Sequence, residues 1–235
     1  APAFSSKKRL KVGTFKVINN GFRLGERFMK IIFDNALKNK VDEIYVTIFD
    51  KRDEQKRLID LLEQWGFVLW GKKGSELVYV RDFSKKTEEN QLKQCYPFIS
   101  RNKGTFIVPI YPDYHTELLP DSILNTESPE ELIEDFPHRN GTNKVYVSRA
   151  MTPHPKEGDL LVFYRTGGYY KSVVSTIGVV QEAKYDFKDE DDFVLYCRKS
   201  SVFPEDQLRA MWRYSQTRPF VLRFLYIYSF PHRIN

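Results

Sequence analysis

The pattern of hydrophobic and polar residues between Leu10 and Phe83 predicts strands and helices in alternation. Leu10–Ile18 is rich in β-branched residues and predicts a strand that ends in the turn Asn19-Asn20-Gly21. Phe22–Lys38 has apolar residues three and four positions apart, the spacing of one helical face. Those residues are Leu24, Phe28, Ile31, Ile32 and Ala36. Glu43–Phe49 then predicts a buried strand.

A second helix and a further strand complete this region. Asp53 is predicted as the N-cap of the helix and Gly66 as the residue that closes it. Leu58, Leu61, Leu62 and Trp65 supply its apolar face. Leu77–Val80 is the next strand. The order β-α-β-α-β is typical of an α/β layer with at least one parallel strand pair.

The second half of the chain is predicted to be mostly β. Pro109 favours an edge position for the strand Thr105–Tyr111 or marks the end of that strand, and Gly178 predicts a bulge or a close approach of two strands. The other expected strands are Lys144–Ser148, Leu160–Tyr164, Ser172–Val180, Val194–Cys197 and Val221–Phe230, with short helices beginning at Ser128 and at Pro204. Several short strands with glycine-bearing bends favour a small barrel.

These patterns divide the chain into two domains. Residues 1–83 form the α/β domain, residues 84–103 a linker, and residues 104–235 the β-rich domain with a preceding connector. The polar run from Ser84 to Gln94 is the basis for the linker.

Composition narrows the classes of function. The chain has 235 residues, a net charge of +6 and 15% aromatic residues, which suits a polyanionic partner. Cys95 and Cys197 are far apart in sequence, which favours a reducing, cytoplasmic setting. No apolar run approaches 18 residues, so no membrane-spanning segment is expected.

The sequence RLKVGTFKVINNGFRLGERFMKIIFDNALKNKVDEIYVTIF, with the later Trp65-Gly66-Phe67, resembles the second half of a GNAT-type N-acyltransferase domain. In that family a glycine-rich loop and a helix N-terminus cradle the pyrophosphate of acyl-CoA, since such a terminus offers free N–H groups and a positive dipole end. The resemblance implies that acetyl-CoA would contact Asn20, Gly21, Phe22, Arg23, Leu24 and Gly25.

Three features depart from that family. Arg23 stands where the loop usually has its middle glycine, Leu10–Ile18 contains no carboxylate to act as general base, and no tyrosine lies between Asp53 and Trp65 to act as general acid. The part of the domain that precedes the loop is also short. We therefore expect a GNAT-like domain that is truncated, structural or a degenerate acyl-CoA site, in a fragment of a longer protein or in a non-catalytic version of the domain.

The pair GDLLVFYRTG and KSVVSTIGVVQEA is similar to the PUA superfamily, particularly its EVE-like and ASCH-like branches. The resemblance covers roughly residues 144–230 and implies a PUA-like small barrel that binds nucleic acid, with RNA expected, in a cleft of aromatic and basic side chains. The residues expected at that cleft are Tyr164, Arg165, Tyr169, Tyr170, Lys171 and Trp212. Each aromatic residue also has a structural reading, because strand and helix aromatics often pack in a core.

Metal and nucleophilic chemistry have little basis in the sequence. The four histidines are scattered, Asp113 and His115 read as a turn cap beside a surface histidine, and each cysteine stands alone. The acidic run at residues 188–192 reads as a solubilising loop, and Arg209 and Arg213 as solvated. No metal is therefore expected.

Three functions remain open. The first is RNA binding with a structural α/β domain, and the second is a toxin-like N-acetyltransferase that acts on an RNA-associated acceptor. The third is a non-catalytic interaction module. The missing general base and acid favour the first, and the oligomeric state is left open.

Overall fold

The computed structural model describes residues 4–13, 23–84, 91–122, 141–149, 154–167, 172–198, 200–214 and 216–234. The chain divides into two compact units. The first takes in Ala1–Asn20 and Leu24–Ile99, and the second takes in Gly21–Arg23 and Ser100–Asn235.

The first unit is an α/β layer. Its elements are β1 (Arg9–Val12), α1 (Leu24–Lys38), β2 (Glu43–Ile48), α2 (Asp53–Gln64), β3 (Val68–Lys73), β4 (Glu76–Asp82) and α3 (Leu92–Cys95). The strands lie in the order β1-β2-β4-β3. β1 and β2 are parallel, which confirms the predicted parallel pair, and β4 pairs antiparallel with both β2 and β3.

An aromatic cluster forms the core of this unit. The Phe33 ring of α1 lies 5.0 Å from the ring centroid of Tyr96 and 5.8 Å from that of Trp65. These three side chains and Phe67 are at most 2% exposed. Edge-to-face ring packing of this kind stabilises a core beyond the burial of its apolar area.

The predicted limits of α2 need one correction. The N-cap is Arg52, whose N–H donates to Gln55 Oε1 at 3.0 Å, so Asp53 is the first helical residue and not the cap. Asp53 still favours the helix there, because a carboxylate stabilises the positive end of the helix dipole. Gly66 ends the helix as predicted, with φ +77°.

The β3 strand was not predicted. It forms a hairpin with β4 through Gly74, which has φ +61°, and its Val68 and Leu69 are about half exposed. Its residues therefore do not alternate between buried apolar and exposed polar positions, so the usual strand pattern is missing.

The second unit is built on one five-stranded sheet. Its elements are β5 (Thr105–Ile110), α4 (Pro112–Leu118), a 3₁₀ turn (Pro120–Ser122), β6 (Asn143–Ser148), β7 (Leu160–Arg165), β8 (Val173–Lys184), α5 (Glu190–Cys197), α6 (Glu205–Arg213) and β9 (Phe220–Ile234). The strand order is β5-β7-β8-β9-β6. β5 lies at the edge of the sheet, which is one of the two positions that Pro109 favoured.

The small barrel predicted for this unit does not close within the described residues. No ladder of backbone hydrogen bonds joins the edge strands β5 and β6 there, so the sheet is open. A side chain joins the two edges instead, because the Tyr146 hydroxyl donates to the Pro109 carbonyl at 2.9 Å.

The sheet packs a core on each face. Leu161, Phe163 and Phe224 are fully buried in one cluster, and Phe193, Cys197 and Val221 in the other, where α5 and α6 cover β6 and β9. Gly178 makes the predicted close approach, since a Cβ there would lie 2.5 Å from Cδ2 of Phe224.

The predicted strand Val194–Cys197 is wrong. These residues are the end of α5, which begins after Asp189, whose carboxylate accepts from the Asp192 N–H at 2.8 Å. The acidic run at 188–192 is therefore a helix start and not a loop. The Asp-x-x-Asp cap was the signal for it, but the apolar run that follows suggested a strand.

The other predicted strands of this unit are confirmed within a few residues of their predicted limits, and so is the helix that begins after Pro204. The helix predicted at Ser128 and the end of the first strand, residues 14–18, lie outside the described residues.

Candidate nucleic-acid interface

The α6 helix presents Trp212 near its C-terminal end. Pro204 precedes the helix, Glu205 and Asp206 lie in its first turn, and Arg213 lies in its last. This charge order stabilises the helix dipole. Leu208 is buried on the side that faces the sheet.

Trp212 packs against the core on one side and under an arginine on the other. Its ring stacks on Phe193, with centroids 5.6 Å apart and planes 25° apart. The Arg218 guanidinium lies 4.6 Å from the Trp212 ring centroid, and Arg218 Nη1 donates to the Trp212 carbonyl at 2.7 Å. Because Phe193 stacks on one face of the ring, the guanidinium covers the other.

Tyr214, two residues further on, also has an arginine over its ring. Its side chain is 45% exposed, and the Arg149 guanidinium lies 4.3 Å from its ring centroid. Arg149 and Arg218 are both exposed. We call Arg149, Trp212, Tyr214 and Arg218 the arginine–aromatic surface.

Strand register brings these residues together. Ser148 at the end of β6 pairs with Phe220 at the start of β9, so Arg149 and Arg218 each lie just beyond that pair. Lys184 at the end of β8 pairs with Val221. The ends of β6 and β8 and the start of β9 therefore meet at one end of the sheet, which we call this side of the sheet.

A second aromatic ring with cations lies at the same side of the sheet, but its charges are balanced. Lys184 Nζ and the Arg223 guanidinium lie 4.9 and 4.4 Å from the Tyr196 ring centroid. Lys184 pairs with Asp192 at 3.3 Å and Arg223 with Glu182 at 3.6 Å. Burial, together with a hydrogen bond to Glu182, raises the pKa of Tyr196.

The two arginines of the arginine–aromatic surface differ in this respect. Within the ranges that the structure describes, neither Arg149 nor Arg218 forms an ion pair with a carboxylate. Their charge is therefore available to an anion.

Arg209 and Arg213 are engaged and not merely solvated. Arg209 contacts Glu190, Asp191 and Glu205 at 2.8–2.9 Å, and Arg213 contacts Glu190 at 2.9 Å. The hydrogen bonds from Arg213 and Arg209 lower the pKa of Glu190. This network ties α5 to α6.

Of the predicted cleft residues that the structure describes, Tyr164 and Arg165 lie far from Trp212. Arg165, 8% exposed, pairs with Val173 at the first position of β8, whereas the arginine–aromatic surface adjoins Lys184 at the last. At about 3.3 Å per residue the two ends are roughly 35 Å apart. Tyr164 is half-buried on β7, and Tyr169, Tyr170 and Lys171 lie outside the described residues.

A buried polar cluster lies close to Arg165. It includes Ser175 of β8, two residues along that strand from Val173, which pairs with Arg165. His115 is fully buried, which corrects the prediction of a surface histidine. Its Nε2 lies 2.9 Å from Ser175 Oγ and 3.2 Å from Ser122 Oγ. Buried polar groups need such partners, so a structural role explains the cluster. Burial also raises the pKa of the Cys197 thiol to about 12, so that cysteine is poorly suited to act as a nucleophile.

The predicted acyl-CoA loop is only partly described. Asn20, Gly21 and Phe22 lie outside the described residues. Arg23, which belongs to the second unit, has φ +55°, and its Nη1 donates to the Asn143 carbonyl of the same unit at 3.0 Å. Leu24 is the first residue of α1, and a Cβ at Gly25 would lie 3.1 Å from Leu61 Cδ2, so close packing of α1 on α2 accounts for that glycine.

Two other features are absent from the part of the chain that the structure describes: a metal-ligand cluster and a membrane-spanning helix. Among the residues of known placement, no three His, Cys, Asp or Glu side chains group as metal ligands. Of the helices that the structure describes, none combines the length and apolar character needed to cross a bilayer.

The sequence analysis named Trp212 as a candidate but did not name Arg149, Tyr214 or Arg218. No local motif marks these three residues, because strand pairing over about 70 residues of chain brings Arg149 to Arg218. A register prediction for β6 and β9 would have been needed.

No family model matches the chain, and no curated protein matches it. Two crystal structures of mutant ZmASCH proteins from Zymomonas mobilis are similar in part. Their identities are 11% and 10%, each match covers 57% of this chain and 75% or 76% of the other, and both TM-scores are 0.40.

Proposed function

We propose that the second unit binds nucleic acid, with RNA the expected form, through the arginine–aromatic surface. One observation carries the proposal: two exposed guanidinium groups without carboxylate partners in the described chain lie over two neighbouring aromatic rings. The resemblance of its sequence to the PUA superfamily supports it.

The energetics favour a nucleic-acid ligand. Stacking of a base on an aromatic side chain contributes about 1–3 kcal/mol. A guanidinium over an exposed ring contributes only about 0.5–1 kcal/mol. An arginine freed from a ring also has five N–H donors for phosphate oxygens, so a ligand that offers both bases and phosphates satisfies both groups.

For the first unit we propose a structural role. Close packing against Leu61 accounts for Gly25. With no general base or acid found in the sequence, the acetyltransferase alternative has no catalytic group assigned to it.

The test is a calorimetric titration of the whole chain with a tRNA pool and, separately, with acetyl-CoA. We expect saturable binding of tRNA that the double variant Arg149→Ala, Arg218→Ala weakens about tenfold, and no binding of acetyl-CoA. The matched control is Arg57→Ala, Arg101→Ala, which removes two exposed arginines elsewhere.

The outcomes separate the three functions. No tRNA binding, or equal loss in the control, contradicts the RNA-binding proposal. Saturable acetyl-CoA binding that Arg23→Ala weakens would contradict the structural role and support an acyltransferase. If the chain binds neither tRNA nor acetyl-CoA, the result would favour an interaction module.

A further inference from the structure

We infer that the arginine–aromatic surface binds single-stranded nucleic acid, with unpaired bases replacing Arg149 and Arg218 on the rings of Tyr214 and Trp212. The inference rests on the proposed function and specifies its ligand. It also assigns two states to each arginine: over a ring in the free protein, and on a phosphate in the complex.

The spacing of the rings suits neighbouring nucleotides. Trp212 and Tyr214 are two residues apart, so their Cα atoms are at most about 7 Å apart. Trp212 is backed by Phe193, so that its ring has one fixed orientation and a single face to offer. Tyr214 is 45% exposed.

Bases in a duplex cannot stack on such rings. In a duplex each base face is covered by the next base pair, whereas an unpaired strand can turn its bases onto aromatic side chains. A surface that relied on charge alone would need no rings beneath its cations.

The Tyr196 ring shows what the replacement of a cation by a base on an aromatic ring requires. The cations over it are held by Asp192 and Glu182, and its hydroxyl is bonded to Glu182 at 2.6 Å. Displacing those cations would break ion pairs. Arg149 and Arg218 have no such carboxylates in the described chain, so their release is opposed by the contact with the ring and, for Arg218, by the hydrogen bond to the Trp212 carbonyl.

The experiment compares a labelled 12-nucleotide single-stranded RNA with the same sequence as a blunt duplex, by fluorescence anisotropy on the whole chain. We expect at least tenfold tighter binding of the single strand. Tyr214→Ala should weaken single-strand binding about fivefold and leave duplex binding unchanged. Tyr111→Ala, which removes a ring that is 70% exposed elsewhere, is the matched control.

Two further measurements test the arginines and the second ring. Removing both arginines should lower the slope of log affinity against log salt by about 1.4, because each phosphate contact on a single strand contributes about 0.7. Trp212→Phe keeps an aromatic ring packed on Phe193. The tryptophan fluorescence of this variant should be quenched less on binding than that of the wild type, because the change would come from Trp212.

The results distinguish this inference from the function on which it rests. Equal affinity for the two forms, or equal effects of Tyr214→Ala and Tyr111→Ala, would overturn the single-strand inference and leave nucleic-acid binding intact. Failure to bind either oligonucleotide or the tRNA pool would overturn both.

Discussion

At the residue scale, single side chains explain the closest contacts in the molecule. Gly178 is the clearest case: Phe224 lies across the position that a Cβ would occupy, and the strand register shifts at the same point. The glycine was recognisable in the sequence, whereas its partner was not.

We predict that Gly178→Ala destabilises the protein. A Cβ at 2.5 Å from Phe224 Cδ2 forces that buried ring or the strand to move, and overpacking of this kind costs about 1–3 kcal/mol. Urea unfolding measures the loss. Gly167→Ala, where no atom lies within 4 Å of the added Cβ, is the control, and similar curves for the two variants would contradict the prediction.

A second residue-scale prediction concerns acid sensitivity. Burial acts to raise the pKa of Asp82, but hydrogen bonds from Ser84 and Lys7 outweigh it and lower the pKa to about 2. A lowered pKa means that folding favours the charged form. The stabilisation is therefore complete above about pH 4 and is lost as the pH falls to about 2.

The measurement is the free energy of unfolding between pH 5 and pH 2 for the wild type and Asp82→Asn. We expect the variant to be less stable at pH 5, and the gap between the two proteins to narrow toward pH 2. A gap that stays constant over this range would show that the carboxylate contributes nothing through its charge.

At the element scale, secondary structure followed local pattern except at β3, which lacks the usual strand pattern, and at α5, where two patterns competed. α1, β2 and β7 have the periodicities of their types. At α5, the apolar residues after Asp192 are buried and read equally well as a strand. Capping by Asp189 resolves the choice in favour of a helix.

We predict that Tyr146→Phe loosens the edges of the second sheet. The hydroxyl of Tyr146 on β6 donates to the Pro109 carbonyl on β5, and losing one such bond costs about 1 kcal/mol. Hydrogen exchange of the β5 amides should become faster.

Tyr228→Phe is the matched control, since Tyr228 lies on β9, is 42% exposed, and the structure describes no hydrogen bond of its hydroxyl. Unchanged exchange in β5 on losing the Tyr146 hydroxyl would mean that the ring alone holds the two edges.

At the scale of the whole molecule, pairing over long sequence distances decides where function can lie. β6 and β9 are about 75 residues apart and lie side by side, as do β8 and β9 over about 40 residues. Their register places four separated cations at one side of the sheet: Arg149, Lys184, Arg218 and Arg223. Tyr164 and Arg165, which stand in a conspicuous motif, lie toward the opposite side.

The sequence by itself determined most helices and strands, the parallel pair of the first unit, the preference of Pro109 for a sheet edge or a strand end, and the importance of Gly178. These depend on local periodicity, on proline's missing N–H and on glycine's missing Cβ, which can be read residue by residue. The tertiary structure alone decided that the sheet is open, that His115 is buried, and that Arg149 and Arg218 lie over Tyr214 and Trp212. Strand register and packing set these features, and they depend on contacts between residues that no local pattern connects.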